Sequence, residues 1–426
     1  MRQFLLEQLV KISYKHEVNK KGGDDLSMLK FINDNGDFIL TGAQKYRETY
    51  LPLVNEAGMI SSVTPMLAGD CKTGQNTCLL PPASAETLHE SRASRNFWIM
   101  TENRAPWSAV GQSAPQQAER FSDNEEETVL NGGLLWQEVK REQKKTGLCA
   151  CVLSFVPAEG EKAEIMQVTV RNRGNEPVEI TPVAAIPVYG RSADNIRDHR
   201  HVTSLLQRVE IRPHGLDITP TLTFDERGHR PGNVTYRVWG GDETGGTPQS
   251  FIALTSDFVG EGSWDWPEAV VKPDETARLK AGQCVEGGEV AAALFFAPVI
   301  LKPGEKRRYQ IVLTVDDSPS RYLLPDAVDT ALEKTKQWWQ KQVAQSFFIR
   351  SVNFTPWMRW VAVQPTLRRI CGCSFLPRHD YGRGGRGWRD LWQDSLSLLL
   401  TSPKDVRNDL LCYFAGVRPE ALMPRS

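Results

Sequence analysis

The sequence lacks the marks of several protein classes. No stretch approaches the roughly 20 consecutive apolar residues that span a bilayer. Charge of one sign is not in excess: 51 Lys and Arg face 52 Asp and Glu, a formal net charge of -1. A nucleic-acid binder would show a basic surplus or stripe. There is no GxGxxG fingerprint, no P-loop lysine and no nucleophile elbow. No internal repeat or low-complexity block breaks the chain. The eight cysteines are scattered: Cys71, Cys78, Cys149, Cys151, Cys284, Cys371, Cys373 and Cys412. Two Cys-x-Cys pairs occur, neither with zinc-ribbon spacing, so reduced thiols in a cytoplasmic protein are expected and neither disulfides nor a metal. The start, Met1 to Leu6, carries a charge and a short apolar patch but turns polar between Lys15 and Asp25, unlike a signal peptide.

What is present is a soluble, globular composition, 40% hydrophobic and 24% charged. The length of 426 residues accommodates two or three domains. The 12 tryptophans suit either core or sugar stacking. Residues 1–27 are polar, with a Lys-Lys-Gly-Gly-Asp-Asp run, and are expected to be an N-terminal extension. From 28 to 325 the pattern is strand and turn. Met166, Val168 and Val170 alternate with polar residues, the turn Asn172 to Asn175 follows, then Val178, Ile180 and Pro182; this is expected to be a hairpin. Pro303-Gly304 marks a turn before the alternating Tyr309, Ile311, Leu313 and Val315. A large antiparallel β-sandwich is the expected class.

The character changes at Pro325. Asp326 is expected to cap a helix over 326–345, on which Val328, Leu332, Trp339 and Val343 fall on one stripe. A second helix is expected from Phe354 to Arg369. The stretch 346–426 would then begin an α-helical domain, in which Trp357, Trp360, Leu398 and Leu399 are expected to lack core partners.

Three clusters carry chemistry. The densest is Trp388-Arg389-Asp390-Leu391-Trp392-Gln393-Asp394, behind the glycine loop Tyr381 to Gly387. A guanidinium donates and a carboxylate accepts, so Arg389 and Asp394 suit adjacent hydroxyls of one sugar, with Trp388 or Trp392 as a stacking face. A helix start with an Arg389–Asp394 ion pair fits equally well. Five residues along a helix turn about 140°, so the two meet one ring only if Arg389 still belongs to the loop. The second cluster, Tyr189 to His201, follows the strand Val183 to Val188. A packed polar network is expected there, at a domain or subunit interface; His199 and His201 have no suitably spaced third ligand for a metal. The third is Asn96-Phe97-Trp98 with Pro106-Trp107-Ser108 and Gly111-Gln112-Ser113, which suits carbohydrate contacts and a sandwich core alike. The Gly260 to Trp264 loop is a weaker signal.

The stretch Arg389 to Asp394 resembles the R-D-x-x-Q-D motif of the family 94 glycoside phosphorylases, which include cellobiose, chitobiose and 1,2-β-oligoglucan phosphorylases. Tyr189 to His201, Asn103 to Ser113 and Gly372 to Pro377 are similar to blocks of the same group. The resemblance runs from about residue 30 to 418. It implies an N-terminal β-supersandwich, a helical linker and the start of an (α/α)6 barrel. It also implies a reaction: inorganic phosphate attacks a β-glucoside or oligoglucan, and a sugar 1-phosphate leaves with inverted configuration. One carboxylic acid protonates the leaving oxygen, and no cofactor is needed beyond phosphate as co-substrate. By motif, Arg389 and Asp394, with Trp388 and Gln393, match positions that hold the donor sugar. The family's acid lies in a Gly-Asp-Trp-Asn-Asp-like stretch that this sequence does not contain, so the chain is expected to be a truncated phosphorylase, inactive alone and without catalytic residues of its own. A non-catalytic carbohydrate-binding or assembly module, completed by a separately encoded barrel, is the alternative; an unrelated metalloenzyme built on His199 and His201 is a third. A homodimer is a further expectation, with neither nucleic acid nor membrane as partner.

Overall fold

The computed structural model describes residues 29–47, 49–84, 94–102, 105–196, 199–225, 228–317, 319–343, 354–371, 388–399, 401–415 and 417. The expected extension 1–27, the glycine loop 381–387 and the stretch Gly372 to Pro377 lie outside them, as does Cys373.

Strand-forming segments dominate up to residue 314 and assemble into antiparallel sheets. The largest has eleven strands, with Leu29–Phe31 at one edge and Cys284–Glu286 at the other. Its centre is, in spatial order, Trp136–Gln143, Leu148–Phe155, Ala163–Asn172, Lys306–Thr314 and Tyr236–Asp242. A second sheet of six strands is built on Val178–Val188, flanked by Val290–Phe295 and Asn96–Thr101. The two sheets face each other across the main core. Met166, Val168 and Val170 from the first meet Ile99, Ala184 and Ile186 from the second, all fully buried. Interdigitation of two inner faces is the defining packing of a β-sandwich.

Both sheets are covered on their outer faces too. Trp98, Val183 and Ala293 on the far side of the second sheet pack against Phe258 and Val270 from two short helices. Leu153, Phe155, Ile165 and Val312 on the far side of the first pack against Val328 of the helix α1, Pro325–Gln342. Burial on two faces accounts for the near-continuous apolar runs in these strands, such as Val183 to Val188.

The expected hairpin at Asn172 to Asn175 is not one. Ala163–Asn172 pairs with Leu148–Phe155 and Lys306–Thr314 in the large sheet, whereas Val178–Val188 pairs within the other sheet. The turn is an arch that carries the chain across the sandwich. Asn172 holds it: its amide donates to the carbonyls of Glu176 at 2.7 Å and Leu301 at 2.8 Å. An arch and a hairpin share the same local signature, because both need a turn between two alternating strands. The Pro303-Gly304 turn is as expected, and Lys306–Thr314 follows it.

The helix α1 starts one residue before the expected cap. Leu324 occupies the cap position without a side-chain bond, and Asp326 lies in the first turn, where its charge meets the positive end of the dipole. Val328, Trp339 and Val343 are buried as the stripe requires. The next helix, α2 (Phe354–Cys371), departs more from expectation. Trp360 is 1% exposed, packs edge-on to Phe38 and donates its indole N–H to the Gly36 carbonyl at 2.8 Å. Trp357 meets Phe31 edge-on at 5.5 Å. These tryptophans therefore have core partners, and the partners belong to the β strands 29–41. Leu398 is buried as well; Leu399 stays 47% exposed. Two further helices, α3 (Trp388–Ser395) and α4 (Pro403–Ala415), pack on one another, and α3 also packs on α2. Among the described residues no helix is long and apolar enough to cross a membrane.

Candidate functional site

The motif residues Trp388, Arg389, Gln393 and Asp394 all belong to α3. Arg389 is helical, one residue inside the described part of the helix. Arg389 and Gln393 are four apart and both exposed, so they share one helix face. The backbone turns Asp394 about 140° from Arg389. Trp392 is half-buried and Ser395 buried. The side chains of Trp388 and Asp394 lie outside the described residues. The structure thus gathers Arg389 with Gln393, and the helical offset separates Arg389 from Asp394.

In the Tyr189 to His201 stretch, the described residues gather a polar network around the buried Arg191. Arg191 is 4% exposed and stacks its guanidinium over the Tyr189 ring, 4.3 Å from the centroid. Its Nη2 donates to Glu289 at 2.6 Å, and Arg200 Nε reaches the other Glu289 oxygen at 3.2 Å. Arg191 Nη1 donates to the Arg200 carbonyl at 3.1 Å. One carboxylate therefore clamps both arginines and fixes the loop against the start of the strand Val290–Phe295. Burial raises the Tyr189 hydroxyl well above its ordinary pKa, so it stays a neutral phenol at physiological pH. His199 adopts a left-handed conformation, φ 61°, and its ring lies over Phe224 at 6.2 Å. His199 and His201 are both exposed, and among the described residues no three metal-ligating side chains gather. Arg197 and Asp198 lie outside the described residues.

The third cluster divides between core and polar scaffold. Phe97 and Trp98 are fully buried on opposite faces of one strand. Asn96 accepts from Ser108 Oγ at 2.7 Å. Ser113 caps the one-turn helix Ala114–Ala118 in a reciprocal capping box with Gln116. Trp107 is buried and its indole N–H is taken by Glu126 at 3.0 Å.

Two features escaped the sequence. Glu289 carried no local signal, because its partners lie 98 and 89 residues away. Arg141 did carry one: it falls in the inward phase of Trp136–Gln143, in step with Gln137 and Val139, where an apolar residue is ordinary.

A two-sheet β body buried on both faces and continued by helices defines the class, a mainly β sandwich protein with helices near its C-terminus. Residues 92–325 match the family described as glycosyl hydrolase 94, supersandwich domain. The chain belongs to that family. Among solved structures it is similar to a bacterial glucoamylase complexed with acarbose, at 8% identity and a TM-score of 0.48, covering 89% of this chain and 51% of that one. A putative kojibiose phosphorylase from the human microbiome is similar at 7% identity and a TM-score of 0.35, covering 88% of this chain and 42% of that one. The chain thus spans about half the length of these structures or less. No curated protein sequence matches it.

Proposed function

We propose that this chain is the sugar-holding front portion of an inverting phosphorylase that converts a β-glucoside or oligoglucan and inorganic phosphate into a sugar 1-phosphate. The match of residues 92–325 to the family 94 supersandwich domain carries the reading. The motif Arg389 to Asp394 supports it, on a helix that exposes Arg389 and Gln393 for hydroxyl contacts. The chemistry needs a single general acid, since phosphate is already a nucleophile. The acid-bearing stretch expected from the family is not in this sequence, so turnover requires a further segment of polypeptide. General-acid help is typically worth about 10² to 10⁴-fold, and the leaving alkoxide is poor without it.

The test is release of sugar 1-phosphate from cellobiose, laminaribiose, sophorose and chitobiose. The chain alone should give none, and the chain fused to a family 94 barrel segment should turn over at least one. Clear turnover by the chain alone would sink the division of labour. A fused enzyme that consumed water in place of phosphate would sink the phosphorylase reading.

A further inference from the structure

A cleft of about 780 Å³ opens between the end of the strand Trp136–Gln143, the segment Ala105 to Trp107, the one-turn helix Ala114–Ala118 and the loop Glu119 to Glu126. Its lining sets the guanidiniums of Arg47 and Arg141 among the carboxylates of Glu119, Glu125 and Glu126. Arg141 enters from the strand and is 3% exposed. Gly111, with φ +76°, lies flat against the guanidinium, and a Cβ there would stand 2.5 Å from Arg141 Cζ. A glycine at this position leaves the arginine its place. Arg47 lines the same cleft.

Neither guanidinium is satisfied. Arg141 Nε and Nη2 are buried and have no hydrogen-bond partner among the described residues, and the same holds for Arg47 Nε. Arg47 Nη1 donates to Gln117 Oε1 at 3.0 Å. Burial lowers both arginines to about 10; Glu126 and, more weakly, Glu125 draw Arg141 back up while Arg47 presses it down, and at Arg47 the charge of Arg120 lowers and that of Glu125 raises. The lining carboxylate Glu126 is held by other donors, Trp107 Nε1 at 3.0 and 3.1 Å and Gln116 Nε2 at 2.6 Å. A buried cation without a partner is strongly unfavourable, and proteins keep one where something completes it.

The vacant atoms specify what completes it. Nε and Nη2 form the side edge of the guanidinium fork, the edge that grips two oxygens of one carboxylate or phosphate in parallel. The same protein shows that edge occupied elsewhere: Arg95 donates from Nε and Nη2 to the two oxygens of Glu164. We infer that the cleft binds a small organic oxyanion of monosaccharide size, its phosphate or carboxylate gripped side-on by Arg141 and faced by Arg47. The volume lies within the range of small-molecule sites, and Asn124, Glu119 and Gln143 on the walls offer partners for hydroxyls. The inference stands on this geometry and not on the reading of α3.

Titration calorimetry of the full chain at low salt tests it, with inorganic phosphate, glucose 6-phosphate, glucuronate and neutral methyl β-glucoside as probes. At least one anion should bind, and the neutral glucoside should be weaker by about tenfold or more. Glucose 6-phosphate above glucuronate identifies a phosphate site, and the reverse order a carboxylate site. Arg141→Gln should weaken the anion about tenfold or more and raise the stability of the ligand-free chain, because an unpartnered cation is removed. Arg47→Gln should weaken the same anion while leaving the strand intact, which keeps the test open should Arg141→Gln not fold. Three results would each overturn the inference: no anion binding at millimolar concentration, unchanged affinity in the variants, or lower ligand-free stability of Arg141→Gln, which would mean that the cation already has its partner.

Discussion

Replacing Trp360 by alanine should destabilise the β body, although the residue lies in a helix beyond it in sequence. Trp360 is 1% exposed, and its indole sits edge-on to Phe38 with centroids 6.0 Å apart. Its N–H is the donor to the Gly36 carbonyl, which the truncation would leave without that partner. Removing a buried tryptophan side chain costs about 3–5 kcal/mol, of which roughly 1 kcal/mol is the hydrogen bond. Trp360→Phe separates the two terms: it keeps much of the ring packing and loses the N–H, so about 1–2 kcal/mol is expected. Urea unfolding followed by far-ultraviolet circular dichroism, a probe of the sheets, reads both variants. A loss below about 1 kcal/mol in Trp360→Ala would show that α2 is only loosely laid on the strands, and the docking argument would fail.

Glu164→Gln should cost about 3–5 kcal/mol, because it leaves the fully buried Arg95 uncompensated; urea midpoints check this, and a change under 1 kcal/mol would mean the arginine is satisfied by carbonyls alone. Burial pushes the Cys78 thiol from 9.0 up to about 12, so its contribution to stability is full below pH 9 and is lost as pH rises towards 12. Stability should therefore fall by up to about 1.4 kcal/mol per pH unit for this thiol in that window, and Cys78→Ala should flatten the slope; an unchanged slope refutes the assignment. Gly111→Ala forces a Cβ against Arg141 at a positive φ and should cost about 1–3 kcal/mol by thermal unfolding; an unchanged unfolding temperature would refute this. Hydrogen exchange should protect amides of α2 as strongly as those of α1, and those of α4, where Leu411 and Phe414 are more than half exposed, less strongly.

The sequence made the strands visible and left their partners hidden. Tyr309, Ile311 and Leu313 alternate because the strand Lys306–Thr314 sets one face into the main core, and period two survives in the sequence. The arch at Asn172 failed for the complementary reason. Its two strands alternate just as a hairpin's do, and the pairing that distinguishes them, Val178–Val188 with Asn96–Thr101, spans a sequence distance that no local pattern encodes. Trp360 failed in the same way, since its acceptor Gly36 lies 324 residues earlier. Arg141 was legible in principle: an arginine in phase with a buried valine breaks the inward pattern of its strand. The order of the motif on α3 was visible, but whether Arg389 is itself helical was not, and that decides whether Arg389 and Asp394 share a face.

The docking of α2 also determines how the motif helix is held. Trp360 and Trp357 pin α2 to the strands 29–41, and Arg369 pairs with Glu56 near the other end of the helix. The helix α3 in turn packs on α2 and α4. The position of Arg389 and Gln393 is therefore inherited from the β body through α2, not fixed by α3 itself, which at eight residues is too short to be stable alone. A sugar held by these side chains needs placement to a fraction of an ångström, and looseness of about 1 Å is enough to lose much of the effect. The β-supersandwich would then serve the proposed chemistry as the rigid base of the proposed donor-sugar contacts. A perturbation at Gly36 or Trp360 should be felt at α3 even though neither residue touches a sugar.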